Sequence, residues 1–543
     1  MMSLHKLAYF SVILFAFHGV LIAHEFSESW TARYSGPDSL NDNAIGIAID
    51  STGCIYVTGF SETAPTYAED YATVKYNSSG IQQWVALYDG PGNSSDSPSA
   101  IVVDASGDIL VTGWSVGNST EKDYATVKYD PNGSQQWVAR YNGPANDIDR
   151  ATAIAMDLTG NLFVTGYSEG VGTSLDFATI KYDSEGEQQW VARYDGPGSC
   201  SDEALDIAVD AGGNIYVAGD SSGDSICNYT TVKYNPDGEQ QWVAFYYGPM
   251  DVSIPSAIAA DAFGNVYVTG SSMGIDTAND YATIKYNSEG ELQWVARYDG
   301  PSNGDDCANG LVLDQDGNVF VTGLSWGMLY DYATIKYNSS GEQQWVARYN
   351  GPCSGIDSGT DIALDSAGNL YVTGYSQGDG TSNDYATIKY SSSGEQQWVA
   401  RYNGPANAQD LAISMALDAS CNVCITGRSM GIGSNYDFAT VMYDSYTGIS
   451  ENEPPVVPEM DLHVDHNPVR ETAIISVVLA EPSQCTLEVF DFSGRLIETL
   501  HSGLLSEREH AVTWQASRVP VGVYLIKATA GFQQVTSRLA VVR

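Results

Sequence analysis

Residues 153–166 read AIAMDLTGNLFVTG, and residues 176–197 read DFATIKYDSEGEQQWVARYDGP. Asp157, Gly160 and Asn161 punctuate the first segment as a tight turn: Asp and Asn side chains bond their own backbone, and Gly supplies a positive φ. The run Leu162–Thr165 after it is apolar and partly β-branched. The alternation from Phe177 to Tyr182, a second turn over Asp183–Gly186 and the segment Trp190–Tyr194 also read as strand, turn and strand. With the stretch before Asp157 this makes four short strands, A to D. No part of the unit has a helical period.

The unit recurs. Trp30, Trp84, Trp137, Trp190, Trp242, Trp294, Trp345 and Trp398 are spaced 54, 53, 53, 52, 52, 51 and 53 residues apart. The V-T-G-like segment recurs at Val57, Val111, Val164, Val217, Val268, Val321, Val372 and Ile425. The D-Y-A-T-like strand opens at Asp70, Asp123, Asp176, Asn228, Asp280, Asp331, Asp384 and Asp437, again eight times. A four-stranded antiparallel sheet at this period predicts an all-β fold, an eight-bladed β-propeller over residues 24–446. The ends are complementary: a lone D strand around Trp30 opens the chain, and the last repeat stops after strand C, Phe438–Tyr443. Trp30–Tyr34 is therefore expected to complete blade eight, whereas an open solenoid would need a cap at each end.

If strands C and D pair through a four-residue turn, Asp280 faces Arg297. Asp123 then faces Arg140, Asp176 Arg193, Asp331 Arg348, Asp384 Arg401 and Asp437 Arg33. Blade four has lost both members (Asn228, Phe245), and blade one sets Asp70 against Leu87. Opposite charges across a strand pair stabilise a sheet, so these are read as structural rather than as acid–base groups.

D-x-x-G-N-x-Y-V-T-G followed by D-Y-A-T-x-K-Y resembles the SBBP-type β-propeller repeat of secreted and surface proteins of bacteria, over roughly Trp30 to Tyr443. The resemblance implies fold and an extracellular setting, but no single activity. The segment N-x-x-G-x-x-x-W, as in Asn287 to Trp294, is also similar to the tryptophan-docking motif of quinoprotein dehydrogenases. That similarity implies only that the Trp packs between blades.

Composition narrows the function. With 24 Lys and Arg against 67 Asp and Glu the formal charge is −43, which repels nucleic acid and anionic membrane surfaces alike. Charged residues are 17 % and hydrophobic ones 43 %, so the chain is not a disordered polyanion. The seven histidines, His5, His18, His24, His463, His466, His501 and His510, all lie near the ends. The expected propeller therefore has no imidazole for a base or a metal.

Residues 1–23 read as a secretory signal peptide, with Lys6, an apolar Leu7–Val20 and a cut after Ala23. The apolar run is short for a membrane anchor, so no transmembrane helix is expected in the mature chain, and no Cys follows the cut to make it a lipoprotein. Residues 447–460, with Pro454, Pro455 and Pro458, read as a linker. Residues 461–543 read as a small β-sandwich, in which Leu487 and Val489, then Val523 and Leu525, alternate as core positions. The order Asn467-Pro468, V-F-D-F-S-G-R over 489–495, G-V-Y-L-I over 522–526 and a short basic-ended tail resembles the type A sorting domain of the type IX secretion system. It implies the type IX machinery as a partner and a secreted or outer-cell-surface address. A generic immunoglobulin-like accessory domain is the alternative.

Three sets of residues are candidates for chemistry. Asp42, Asp96, Asp149, Asp202, Asp306, Asp357 and Asp410, with Ser253 in the eighth place, precede strand A of each blade. In a closed ring they would surround the channel mouth, where oxygen ligands suit Ca²⁺ or Mg²⁺; the competing reading is that each caps its own loop. Asp314-Gln-Asp316-Gly317-Asn318 is taken as an ordinary turn. The variable B–C loops carry Trp114, Met273, Trp326, Met328, Tyr330 and Met430, and of these Trp114, Trp326 and Tyr330 are candidates for stacking on a sugar or peptide. Among eight cysteines, Cys200 with Cys227 and Cys307 with Cys353 are candidate disulfides. Cys421 and Cys424 replace a turn Gly and a strand Tyr, with no redox or zinc context. The reading is a secreted or surface-bound scaffold for an extracellular glycan or protein, with no catalytic residue assigned. The alternative is a carbohydrate-active hydrolase or lyase using carboxylates at the channel mouth.

Overall fold

A computed structural model describes residues 28–444 and 461–542, apart from 199, 224–225, 276–277, 466–468, 480–482, 492–494, 507 and 531–532. The signal peptide, the 447–460 linker and Asn467-Pro468 lie outside the described residues. The chain divides into two compact units, Met1–Tyr446 and Thr447–Arg543.

Among the described residues the first unit holds eight four-stranded antiparallel sheets, seven of them of four consecutive strands. Blade three, for example, runs Asp149–Met156, Leu162–Glu169, Leu175–Tyr182 and Gln188–Tyr194. In the eighth sheet the outer strand is Glu28–Tyr34, antiparallel to Tyr436–Tyr443 with Arg33 opposite Ala439. Each innermost strand packs on the next, and that of the last sheet, Asp410–Leu417, packs on that of the first, Asp42–Ile49. The ring thus closes on itself.

The turns form for the reason their residues suggest. Asp157 Oδ1 accepts the amides of Thr159 and Asn161, each at 2.9 Å, while Gly160 sits at φ +87°. Blades are then stitched to their neighbours. The indole of Trp294 donates to the Ser339 carbonyl at 3.1 Å and lies over Gly341 of the next blade, where an added Cβ would be 2.6 Å from the ring. The buried Tyr281 hydroxyl donates to the Ala333 carbonyl of the same neighbour at 3.1 Å.

The aspartate–arginine pairs form, but in a different register. A turn that pairs Asn287 with Glu291 and a bulge between Lys285 and Tyr286 each shift the pairing by one residue; together they set Arg297 opposite Ala282, two residues on from Asp280, and the long side chain reaches back. Its Nη2 donates to Asp280 at 2.7 Å and to the Ser272 carbonyl at 2.7 Å; Nη1 donates to the Ser272 hydroxyl at 2.7 Å and to the Tyr246 hydroxyl of the preceding blade at 2.9 Å. Arg33 closes the ring with the same pair, 2.7 Å from Asp437.

The second unit is a sandwich of a three-stranded and a four-stranded sheet. Leu487 and Val489 are buried as expected, but Val523 is 46 % exposed and Tyr524, Ile526 and Ala528 face the core instead. The buried Trp514 sets this phase: its ring meets Tyr524 at 5.4 Å, and Tyr524 also donates to the Pro520 carbonyl at 2.8 Å. No helix among the described residues is long and apolar enough to cross a membrane.

Candidate functional site: the loop face of the ring

The D–A and B–C loops share one face, because they bond to each other. Glu169 N–H donates to the Ile148 carbonyl at 3.0 Å, and Met273 N–H to that of Val252 at 2.8 Å. The seven expected rim aspartates are what hold this face together. Asp42, Asp96, Asp149, Asp202, Asp306, Asp357 and Asp410 are each at most 1 % exposed. One oxygen of each accepts the N–H of its own loop glycine, Gly36, Gly90, Gly143, Gly196, Gly300, Gly351 or Gly404, at 2.5–2.7 Å. Their carboxyls do not form an open ring around the channel mouth. A buried carboxylate that accepts amides caps its loop, and burial pushes Asp42 and Asp149 up to about 6. Asp314 likewise caps its turn, accepting from Asp316 and Asn318.

The three candidate aromatics separate into two places. Lys122 Nζ and Arg150 Cζ lie 3.9 and 5.3 Å from the centre of the Trp114 ring. The cations of its own chain therefore engage Trp114. Trp326 and Tyr330 are cross-strand partners in blade six and meet edge to face at 4.8 Å. The loop between them carries Met328 97 % exposed and Leu329 40 % exposed.

Neither candidate disulfide is present: all eight cysteines are free. Cys200 Sγ lies against the Gly198 carbonyl, Cys227 Sγ against the Ser222 hydroxyl and Cys353 Sγ against the Gly378 carbonyl. Each thus finds a partner in its own blade entrance. Burial, with Asp305 and Asp306 nearby, pushes the Cys307 thiol up to about 11. Cys421 occupies the turn glycine's place at φ +62°.

Two features were missed from sequence. In blade four Glu203 stands directly across from Asp220, and neither makes an ion pair among the described residues. Burial and the Glu203 charge push Asp220 up to about 6. The pair was legible in principle, since it follows Asp202 and precedes Ser221, which are themselves partners. The second is a set of three acidic clusters among the described residues: Asp70, Asp89 and Asp96; Asp176, Asp195 and Asp202; and Asp280, Asp299 and Asp306, each with ligand atoms within 4.8 Å of one another. Asp89, Asp195 and Asp299 sit just after strand D, outside the repeated aspartate positions.

Residues 344–380 match the β-propeller repeat family, and residues 467–542 match the secretion system C-terminal sorting domain. The chain carries a type IX sorting domain. It is accordingly a secreted or cell-surface protein, and its sorting domain engages the type IX secretion machinery. No curated protein matches the chain. Among solved structures, a fungal alcohol oxidase in complex with copper is 14 % identical, at a TM-score of 0.41, over 95 % of this chain and 100 % of that one. PorZ, a surface component of the type-IX secretion system of Porphyromonas gingivalis, is 14 % identical, at a TM-score of 0.33, over 92 % of this chain and 70 % of that one. An ulvan lyase is 11 % identical, at a TM-score of 0.38, over 68 % and 95 %. Likenesses at these scores carry no argument about function.

Proposed function

We propose that the sorting domain delivers a rigid binding scaffold whose loop face takes an extracellular neutral glycan or peptide. One observation carries the reading: the edge-to-face pair Trp326–Tyr330 beside the fully exposed Met328, on a ring whose other repeated side chains are tied to neighbouring blades. Half-buried aromatic rings beside an exposed thioether on a scaffold loop are binding surface rather than core. The charge of −43 disfavours a polyanionic ligand. The test is a glycan and peptide array probed with the full chain, with reaction products monitored. Binding that falls at least tenfold in a Trp326→Ala, Met328→Ser double variant supports the scaffold; undiminished binding in that variant removes blade six from the site.

A second reading has one observation in its favour. The opposed Glu203 and Asp220 form a carboxyl pair peculiar to blade four, the arrangement a glycosidase would require of an acid and its partner. Glycan turnover by the parent chain, lost in Glu203→Gln, would replace binding by hydrolysis.

A further inference from the structure

The end of the ring away from the loop face carries the A–B and C–D turns, and there the junction of blades two and three departs from the repeat. In six blades strand B sets a Tyr or Phe ring 4.8–5.5 Å from the strand-C lysine, as Tyr267 does beneath Lys285. The same ring leans on the strand-D tryptophan at 6.0–6.1 Å. In blade two the ring is replaced by Leu110. Lys128 turns instead to Asp108 at 2.9 Å and Asp104 at 3.5 Å. Asp108 is itself a departure, since six blades carry Asn at that place in the turn.

The shorter side chain leaves space. A cavity of about 650 Å³, floored by Val102, Leu110, Met156 and Leu162, lies between blades two and three. A second, of about 220 Å³, adjoins it through Asp108, Lys128 and Ser184 and reaches Trp137. The groove between blades five and six, where Tyr267 keeps its place, is smaller than the first, at about 510 Å³. Trp137 is also set apart. Of the eight repeated tryptophans it alone makes no contact with another aromatic ring among the described residues. Its half-buried indole lines the smaller cavity.

We propose that this groove binds a neutral sugar of disaccharide size, with one ring against Trp137 and the next over the Leu110 floor. Cavities of this volume hold ligands of that size. The walls carry both signs, Lys128 between the two cavities and Asp104, Asp108, Asp157 and Asp183 around it. A cationic ligand meets the ammonium and an anionic one meets the carboxylates. Sugar hydroxyls answer both, donating to carboxylate oxygens and accepting from the ammonium, while the C–H face of a pyranose covers the indole. The site is remote from Trp326 and Tyr330, so it does not rest on the loop-face reading.

The test titrates the full chain with cellobiose, lactose and mannobiose, followed by saturation-transfer NMR and tryptophan fluorescence. Binding of at least one of them is expected. Leu110→Tyr restores the residue of blades one, four, five and seven, so it should melt at or above the parent while binding falls about tenfold or more. Asp108→Asn, which copies six other blades, should keep the fold and weaken binding. The Trp326→Ala, Met328→Ser double variant should bind these disaccharides as the parent does, which separates this groove from the loop face. No binding of any of the three by the parent, binding undiminished in both Leu110→Tyr and Asp108→Asn, or binding lost in the loop-face variant overturns the site.

Discussion

The Arg297 head group satisfies four acceptors at once, on two strands of its own blade and on the tyrosine of the blade before. Removing it strands a nearly buried Asp280. Arg297→Ala is expected to cost about 3 kcal/mol, because an uncompensated buried charge is worse than no pair. The double variant Asp280→Asn, Arg297→Phe, which copies blade four, should recover most of that loss in urea unfolding. A double variant as unstable as Arg297→Ala alone would show that the pair is not the unit of stability. The existence of these pairs was legible from spacing, but their register was not. The turn and the bulge each shift the pairing by one residue without leaving a signature in the sequence, and the length of Arg conceals the shift. The rim aspartates show the opposite limit. Their recurrence was plain, but recurrence cannot distinguish a carboxylate turned to solvent from one folded onto Gly143 or Gly300.

The strands were readable because turn chemistry brackets most of them: Asp-x-x-Gly before strand B in seven of eight blades, and Asn-x-x-Gly or Asp-x-x-Gly before strand D in six of seven C–D turns. The docking of one blade on the next uses those same turns. Gly341 is at φ +82° with the Trp294 ring against it, so Gly341→Ala meets both an unfavourable backbone and a blocked contact. A loss of roughly 1–3 kcal/mol is expected, together with a change in Trp fluorescence. An unchanged Tm would mean that the indole does not dock there. The strand Gly522–Ala530 is where sequence alternation misled. Val523 and Leu525 alternate as well as Tyr524 and Ile526 do, and only the partner Trp514 selects the face.

The protein as assembled has an acidic interior as well as an acidic surface. Burial pushes Asp42, Asp70, Asp149, Asp206 and Asp220 each up to about 6. A carboxyl raised in the folded state binds its proton more tightly there, so the stability it contributes is full below about pH 4 and is lost as pH rises through 6. Asp50, Asp157 and Asp210, held below the usual range by their turn hydrogen bonds despite partial burial, act oppositely and set the acid limit. With chelator present, Tm near pH 5 should exceed Tm at pH 7.5; the reverse order in a calorimetric series would mean that other groups outweigh the buried carboxyls. Export depends on the other unit. Deleting residues 461–543 should leave the chain inside a host that has type IX secretion, and secretion of the truncated chain would remove the sorting role.

The strand Glu28–Tyr34 leaves the ribosome before every other strand of the ring yet finds its partner, Tyr436–Tyr443, only after the other seven blades exist. Arg33 and Asp437 are 404 residues apart, and a contact this distant in sequence is among the last and slowest to form. A chain interrupted anywhere before blade eight keeps an open strand edge, the kind of surface that recruits other chains. The closing arginine therefore works as a completeness check on the ring: only a chain synthesised through Tyr443 can present a loop face with no loose end.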